Sequence, residues 1–321
     1  APFRLPGGNR DYLALTSDSG RLVILEYDRA GGGWNKLHQE TYGKSGARRA
    51  VPGQYLAADP RGRAVMVAAL ERTRLVYTLN RDSDSALTIS SPLEAHKSQT
   101  VTFAVAGLDV GYDNPVFAAI ELDCGPSDAD PSGAAAAAAQ KQLAFYELDL
   151  GLNHVVRAGC APIDNGANLL VPVPGGPDGP GGVLVCAENW VIWRGRGAGA
   201  PEVKALLPRR AGLPPSRGTL IVAAATHKQK ALFFALLQSE YGDIYKVTLT
   251  GSGGSAAGPG LAGATGVADL AVQVFDTLPP SVSLCVLKTG FLFAASDAGN
   301  HGLYQFIGIG DDDPDAVVAT A

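Results

Sequence analysis

Long apolar runs are missing from this chain. The longest, such as residues 64–70 and 231–237, and others like residues 220–225, fall far short of the ~20 residues that a membrane-spanning helix requires. Basic excess is missing too. Lys and Arg total 26 against 31 Asp and Glu, a net charge of -5, so no broad positive field exists to hold a phosphate backbone without regard to sequence. Cysteine is scarce: Cys124, Cys160, Cys186 and Cys285 are scattered, which fits reduced thiols better than a disulfide framework and lacks the close spacing of a zinc site. The sequence holds no H-E-x-x-H, no G-x-S-x-G elbow and no Asn-x-Ser/Thr acceptor. No signal-peptide pattern opens it, and the expected compartment is cytosolic or nuclear. Its first residue is Ala1, followed closely by a strand pattern, which reads as a piece of a longer chain.

What is present is a succession of short apolar segments broken by Gly, Pro, Asn and Asp. They lie at 12–15, 22–25, 64–70, 75–79, 100–105, 116–122, 143–148, 169–173, 183–186 and 190–193, and continue at 220–225, 231–237, 244–249, 270–275, 283–287, 291–295 and 303–307. This spacing predicts an all-β sandwich, barrel or propeller. One turn decides among them. Ser17-Asp18-Ser19-Gly20 recurs as Ser239-Glu240-Tyr241-Gly242 and as Ser296-Asp297-Ala298-Gly299, each between two apolar segments. That is a hairpin used repeatedly, with Gly expected at positive φ, and a hairpin cannot bury its face alone. The reading is a β-propeller of four-stranded antiparallel blades, with about twenty strands forming roughly five blades or more.

Two segments interrupt the pattern: residues 124–140, which end in an alanine run, and residues 250–269, which are Gly, Ala and Ser almost throughout. Both are expected to be mobile loops lacking apolar surface to pack, with at most a short helical turn in the alanine run. Residues 310–321 form an acidic exit.

Several motifs imitate chemistry. Gly43-Lys44-Ser45 resembles the end of a phosphate-binding loop, but His38 stands where its first Gly belongs. Gly258-Pro259-Gly260-Leu261-Ala262-Gly263 matches G-x-G-x-x-G in a Gly/Ala-rich stretch with no following helix pattern. Asp128, Asp130, Ser132 and Gly133 copy half of a calcium loop, yet Ala139 occupies the bidentate Glu position. The five histidines are dispersed, and Trp190 and Trp193, at strand spacing, read as blade packing. No catalytic residue, metal ligand or cofactor site is nominated. The candidate protein-contact residues are Lys44, Arg48, Arg49, Arg209 and Arg210, basic loop residues with no evident role within the chain that suit an acidic partner surface.

Longer strings carry a family resemblance. Residues 43–49, Val51-Pro52-Gly53-Gln54 and 59–66 (Asp59-Pro60-Arg61-Gly62-Arg63 onward) are similar to the splicing factor 3b subunit 3 family. So are residues 87–97, 145–157, 173–180, 225–228 and 286–293, in order along nearly the whole chain. The Asp59-Pro60-x-Gly62-Arg63 step also resembles the damage-specific DNA-binding protein adaptor of cullin ubiquitin ligases and the large subunit of the cleavage and polyadenylation factor. The resemblance implies most of the first of three seven-bladed propellers, in a nuclear, non-catalytic scaffold of the splicing factor 3b complex of the U2 small nuclear ribonucleoprotein. It implies as partners the HEAT-repeat subunit 1 and the small subunit 5, with little direct RNA contact by this piece and no membrane. The alternatives are an adaptor of a cullin ligase or of the 3′-end cleavage machinery and, more remotely, a propeller enzyme with its site in the central channel.

Overall fold

A computed structural model describes residues 1–42, 51, 53–70, 73–95, 99–196, 199–229, 232–253 and 261–307. The chain divides into two compact units, one of residues 1–165 with 196–200 and one of residues 166–195 with 201–321.

The first unit holds three antiparallel sheets, each a meander in chain order. The first sheet runs β1 (Pro2–Phe3), β2 (Tyr12–Ser17), β3 (Arg21–Asp28), β4 (Gly33–Thr41); the second runs β5 (Leu56–Ala58), β6 (Ala64–Leu70), β7 (Thr73–Arg81), β8 (Leu87–Ile89), with β9 (Leu93–Ala95) also paired to β7. The third is β10 (Thr100–Leu108), β11 (Val116–Asp123), β12 (Gln142–Asp149), β13 (His154–Pro162). The second unit repeats the design. Its sheets are β14 (Leu169–Pro172), β15 (Val183–Ala187), β16 (Trp190–Arg194), β17 (Glu202–Leu206); then β18 (Ile221–Gln229), β19 (Leu232–Ser239), β20 (Asp243–Ser252), β21 (Gly266–Thr277); and β22 (Ser283–Leu287), β23 (Phe291–Ala295), β24 (Gly302–Gln305).

Packing explains why the middle strands are continuous apolar runs. A strand sends successive side chains to opposite faces, so a sheet covered on both sides needs apolar residues at every position. On β6, Val65 and Val67 join a core with Tyr12, Leu22 and Ile24 of the first sheet. Ala64, Met66 and Ala68 of the same strand face the other way, into a core with Phe117 and Tyr146 of the third. In the second unit β19 does likewise: Phe233, Ala235 and Leu237 pack with Trp193, while Phe234 and Leu236 pack with Leu284 and Leu292. Within each unit the sheet-to-sheet seams are therefore hydrophobic layers. Each large side chain buried there contributes about 1.5–3 kcal/mol by transfer from water.

Among the described residues there are six sheets, in keeping with the reading of roughly five blades or more. The strands that apolar-run reading passes over are β1, β4, β5, β8, β9, β13 and β17. Several are outermost in their sheets with water on one or both faces: β4, Gly33–Thr41, is almost wholly exposed, and β13 and β17 alternate exposed with buried or half-buried residues. Backbone pairing holds these strands, and pairing leaves no apolar signature.

The recurrent turn joins the second and third strands of its sheet in all three copies. Gly20 (φ 77°) and Gly242 (φ 92°) are left-handed, and each donates its N–H to the serine carbonyl three residues back, at 3.0 and 2.9 Å. The third copy differs. Gly299 is not left-handed, and the 296–301 loop is closed by the Ser296 N–H donating to His301 Nδ1 at 3.2 Å. The serines of the last two copies still act alike, Ser239 Oγ accepting from the Tyr241 N–H and Ser296 Oγ from the Ala298 N–H, both at 3.2 Å.

The interrupting segments are partly ordered. Residues 124–140 contain two single-turn helices, α1 (Gly125–Ala129) and α2 (Ala134–Ala138), the second being the alanine run. In the Gly/Ala-rich stretch, β20 extends to Ser252 and β21 begins at Gly266, and Leu261 and Val267 are buried in the core around Trp193. The expectation that this stretch has no packing surface is corrected: two spaced apolar side chains suffice to anchor it.

Candidate functional site

The basic candidates lie in connections between sheets. Lys44, Arg48 and Arg49, with Gly43-Lys44-Ser45, fall outside the described residues, between β4 and β5 in the chain. Arg209 and Arg210 follow β17. Their premise, a lack of internal partners, does not hold. Arg209 donates to the carbonyls of Leu213 (3.3 Å), Pro215 (3.4 Å) and Pro214, wrapping its own proline-rich loop. Arg210 Nη1 donates to Tyr241 O at 3.2 Å and pairs with Asp243 Oδ1 at 2.9 Å, and Arg217 Nε donates to the Tyr241 hydroxyl at 3.1 Å. The loop is thus tied onto the Ser239–Gly242 turn. Arg210 keeps 42% of its side chain exposed, so the pair is worth well under about 1 kcal/mol and charge remains on the surface.

Deeper basic residues are structural. Asp59 is buried and accepts from Arg63 at three points: its backbone N–H (3.1 Å), Nε (2.8 Å) and Nη2 (3.1 Å). This fork closes the β5–β6 turn, where Gly62 is left-handed (φ 68°) and a Cβ would lie 2.0 Å from the Arg4 carbonyl. The Asp-Pro-x-Gly-Arg string is accordingly a turn device. In the seam between the second and third sheets, Glu121 Oε1 pairs with Arg74 Nη2 at 2.7 Å and accepts the Tyr146 hydroxyl at 2.6 Å, while Oε2 pairs with Arg157 Nη2 at 3.2 Å. Arg74 and Glu121 are 0% and 1% exposed, and Arg74 also lies over the Tyr146 ring at 5.5 Å. Burial pushes the Tyr146 hydroxyl far above the ordinary phenol range, so it stays a donor.

Of the motifs that imitate chemistry, the acidic half-loop has structural employment, while Gly258-Pro259-Gly260, like Gly43-Lys44-Ser45, falls outside the described residues. Asp130 accepts from the N–H groups of Ala135 (2.7 Å) in α2 and Ser132 (2.9 Å), and these bonds hold its carboxyl below the usual range. Trp193 is buried and donates to Gly181 O at 2.9 Å, whereas Trp190 is half-buried under Lys204. Among the described residues no three His, Cys, Asp or Glu side chains converge as a metal site.

A feature that the sequence did not single out lies at one end of the third sheet. The β10–β11 loop and the β12–β13 turn share that end because alternate connections of a meander do. They carry the two most exposed large apolar residues among those described, Tyr112 (85%) and Leu152 (78%), and also Leu150 (41%). Asn114 bridges the two connections, its Oδ1 accepting from the Leu150 N–H (3.3 Å) and its Nδ2 donating to Glu147 (3.2 Å).

Comparison with known proteins gives these residues a family context. Residues 1–320 match the model of the RSE1/DDB1/CPSF1 first β-propeller. The chain is 59% identical over 312 residues to spliceosome-associated protein 130 A of Arabidopsis thaliana, covering 97% of this chain and 25% of that protein. It is 51% identical over 321 residues to splicing factor 3B subunit 3 of Drosophila melanogaster (99% and 25%) and 50% identical over 318 residues to pre-mRNA-splicing factor rse1 of Emericella nidulans (98% and 26%). The chain thus spans about a quarter of the length of the curated relatives it matches.

Proposed function

The chain belongs to the RSE1/DDB1/CPSF1 first β-propeller family, its six sheets being propeller blades, and from that premise we propose that it is a non-catalytic protein-interaction scaffold in pre-mRNA splicing. The observation that carries this is its identity, over nearly its full length, to proteins named as splicing factors. The scaffold belongs to the splicing factor 3b complex of the U2 small nuclear ribonucleoprotein and works in the nucleus. Its partners are the HEAT-repeat subunit 1 and the small subunit 5, with RNA held mainly by other subunits. The apolar seams within each unit suit this role, since packed sheets with loops at their ends present contacts without rearranging. Lys44, Arg48, Arg49, Arg209 and Arg210 supply surface charge for an acidic partner face.

Affinity purification of the tagged chain from nuclear extract, with mass spectrometry after a moderate salt wash, tests the reading. Recovery of splicing factor 3b subunits is expected. Recovery of cullin or polyadenylation components instead would move the chain to a sister branch, and a folded chain that retains neither would defeat the assignment. Charge reversal of Arg48 and Arg49 together is expected to weaken assembly at an unchanged melting temperature; unchanged assembly would remove them from the contact set.

A further inference from the structure

We propose that the loop end of the third sheet, built by Tyr112, Leu150 and Leu152, is a docking knob for a partner protein segment whose apolar side chains are flanked by Lys or Arg. The proposal does not depend on the basic loops above. Three observations carry it. First, Tyr112 and Leu152 are 85% and 78% exposed, on two connections tied together through Asn114, and among the described residues no other large apolar side chain is as exposed as either. An apolar cluster left in water costs free energy and marks an interaction site when it is contiguous.

Second, the knob is held out by fixed geometry. Asp149 Oδ1 accepts from the N–H groups of Gly151 and Leu152, both at 2.9 Å, and Asn153 is left-handed (φ 49°). Asp109 Oδ1 accepts from the Gly111 N–H at 3.2 Å, and the Arg61 guanidinium stacks on the Tyr112 ring at 5.1 Å. Leu148 N–H donates to Pro115 O at 2.9 Å, so the two connections are stitched below the exposed side chains. A pre-set aromatic anchor loses little entropy on binding, the pattern of an interface hot spot.

Third, the rim carries an acidic excess, although two arginines reach it: Arg61 lies on the Tyr112 ring and Arg63 Nη1 donates to the Asp113 carbonyl. Arg61 lies 3.7 Å from Asp109, and Arg63 is engaged by Asp59. Asp113, Glu147 and Asp149, around the knob, have no ion pair to a cation among the described residues. Unpaired carboxylates around an apolar centre complement basic flanks on a partner and repel a phosphate backbone.

The test places a photo-crosslinking benzoylphenylalanine at Tyr112 in the full-length protein within the complex it assembles in cells, with the exposed Gln39 of β4 as the control position. The expected result is a cross-link to a partner-protein peptide that is apolar with basic flanks, reduced about fivefold or more by Leu152→Ser at an unchanged melting temperature. A cross-link to nucleic acid, to a second copy of this chain or to an acidic segment would overturn the proposal. So would a yield no greater than at Gln39, or one indifferent to Leu152→Ser.

Discussion

The third sheet carries two groups of polar and apolar residues used in opposite ways. Against the second sheet, Glu121 draws Arg74, Arg157 and the Tyr146 hydroxyl into the dry seam, where charge is permitted only because it is paired. At its loop end, Tyr112 and Leu152 stand in water while carboxyl and amide groups beneath them are spent on fixing the loops. In the seam the polar atoms are the cargo and the apolar surface is the container; at the loop end the roles are reversed. A residue's type therefore says little about whether it serves the fold or a partner. Its internal partners say more.

The largest effect that sharpens this contrast is at Glu121. Glu121→Ala leaves Arg74 buried without a counter-charge and is expected to cost about 3–5 kcal/mol in urea unfolding; a loss under about 1 kcal/mol would mean that the seam is wet. Next comes Gly62→Ala, which adds left-handed strain and a clash with the Arg4 carbonyl. A loss of about 2–4 kcal/mol is expected, and a neutral result would break the turn assignment.

A third effect is alkaline. Burial pushes the Cys186 thiol from 9.0 up to about 12 and the Tyr77 hydroxyl from 10.0 up to about 12. The unfolded chain then releases these protons first, so their stability contribution is whole below about pH 9 and is lost as pH rises toward 12. Melting temperature measured from pH 8 upward is expected to fall, and less steeply in Tyr77→Phe; equal slopes would remove Tyr77 from the account. Smaller still is Arg210→Ala, whose exposed pair with Asp243 should cost under about 1 kcal/mol. Smallest is Leu152→Ser, expected within about 0.5 kcal/mol of the parent. If Leu152→Ser instead destabilised as Glu121→Ala does, the contrast between seam and loop end would collapse.

How much of this was legible in the sequence follows the same division. The central strands announced themselves because both faces are covered, as at β6 and β19. The outer strand β4, Gly33–Thr41, reads as polar linker since backbone pairing alone holds it. Trp193 was read as blade packing, and its buried position agrees. Arg209 and Arg210 were legible as basic loop residues, but spacing does not show that Arg209 folds back on carbonyls of its own loop or that Arg210 finds Tyr241 and Asp243 on a turn thirty-odd positions away. Glu121 with Arg74 escaped notice because strand order, not spacing, brings them together. Tyr112 and Leu152 escaped because alternation reports which way a strand residue faces and is silent on loops.

Hydrogen exchange, followed on the full-length protein free and in its assembled complex, tests the central contrast most directly. The account predicts new protection in residues 109–115 and 149–154 on assembly, with the amides of β7 and β11 around Arg74 and Glu121 equally slow in both states. Unchanged exchange in the two loops, or gained protection confined to the seam, would contradict it.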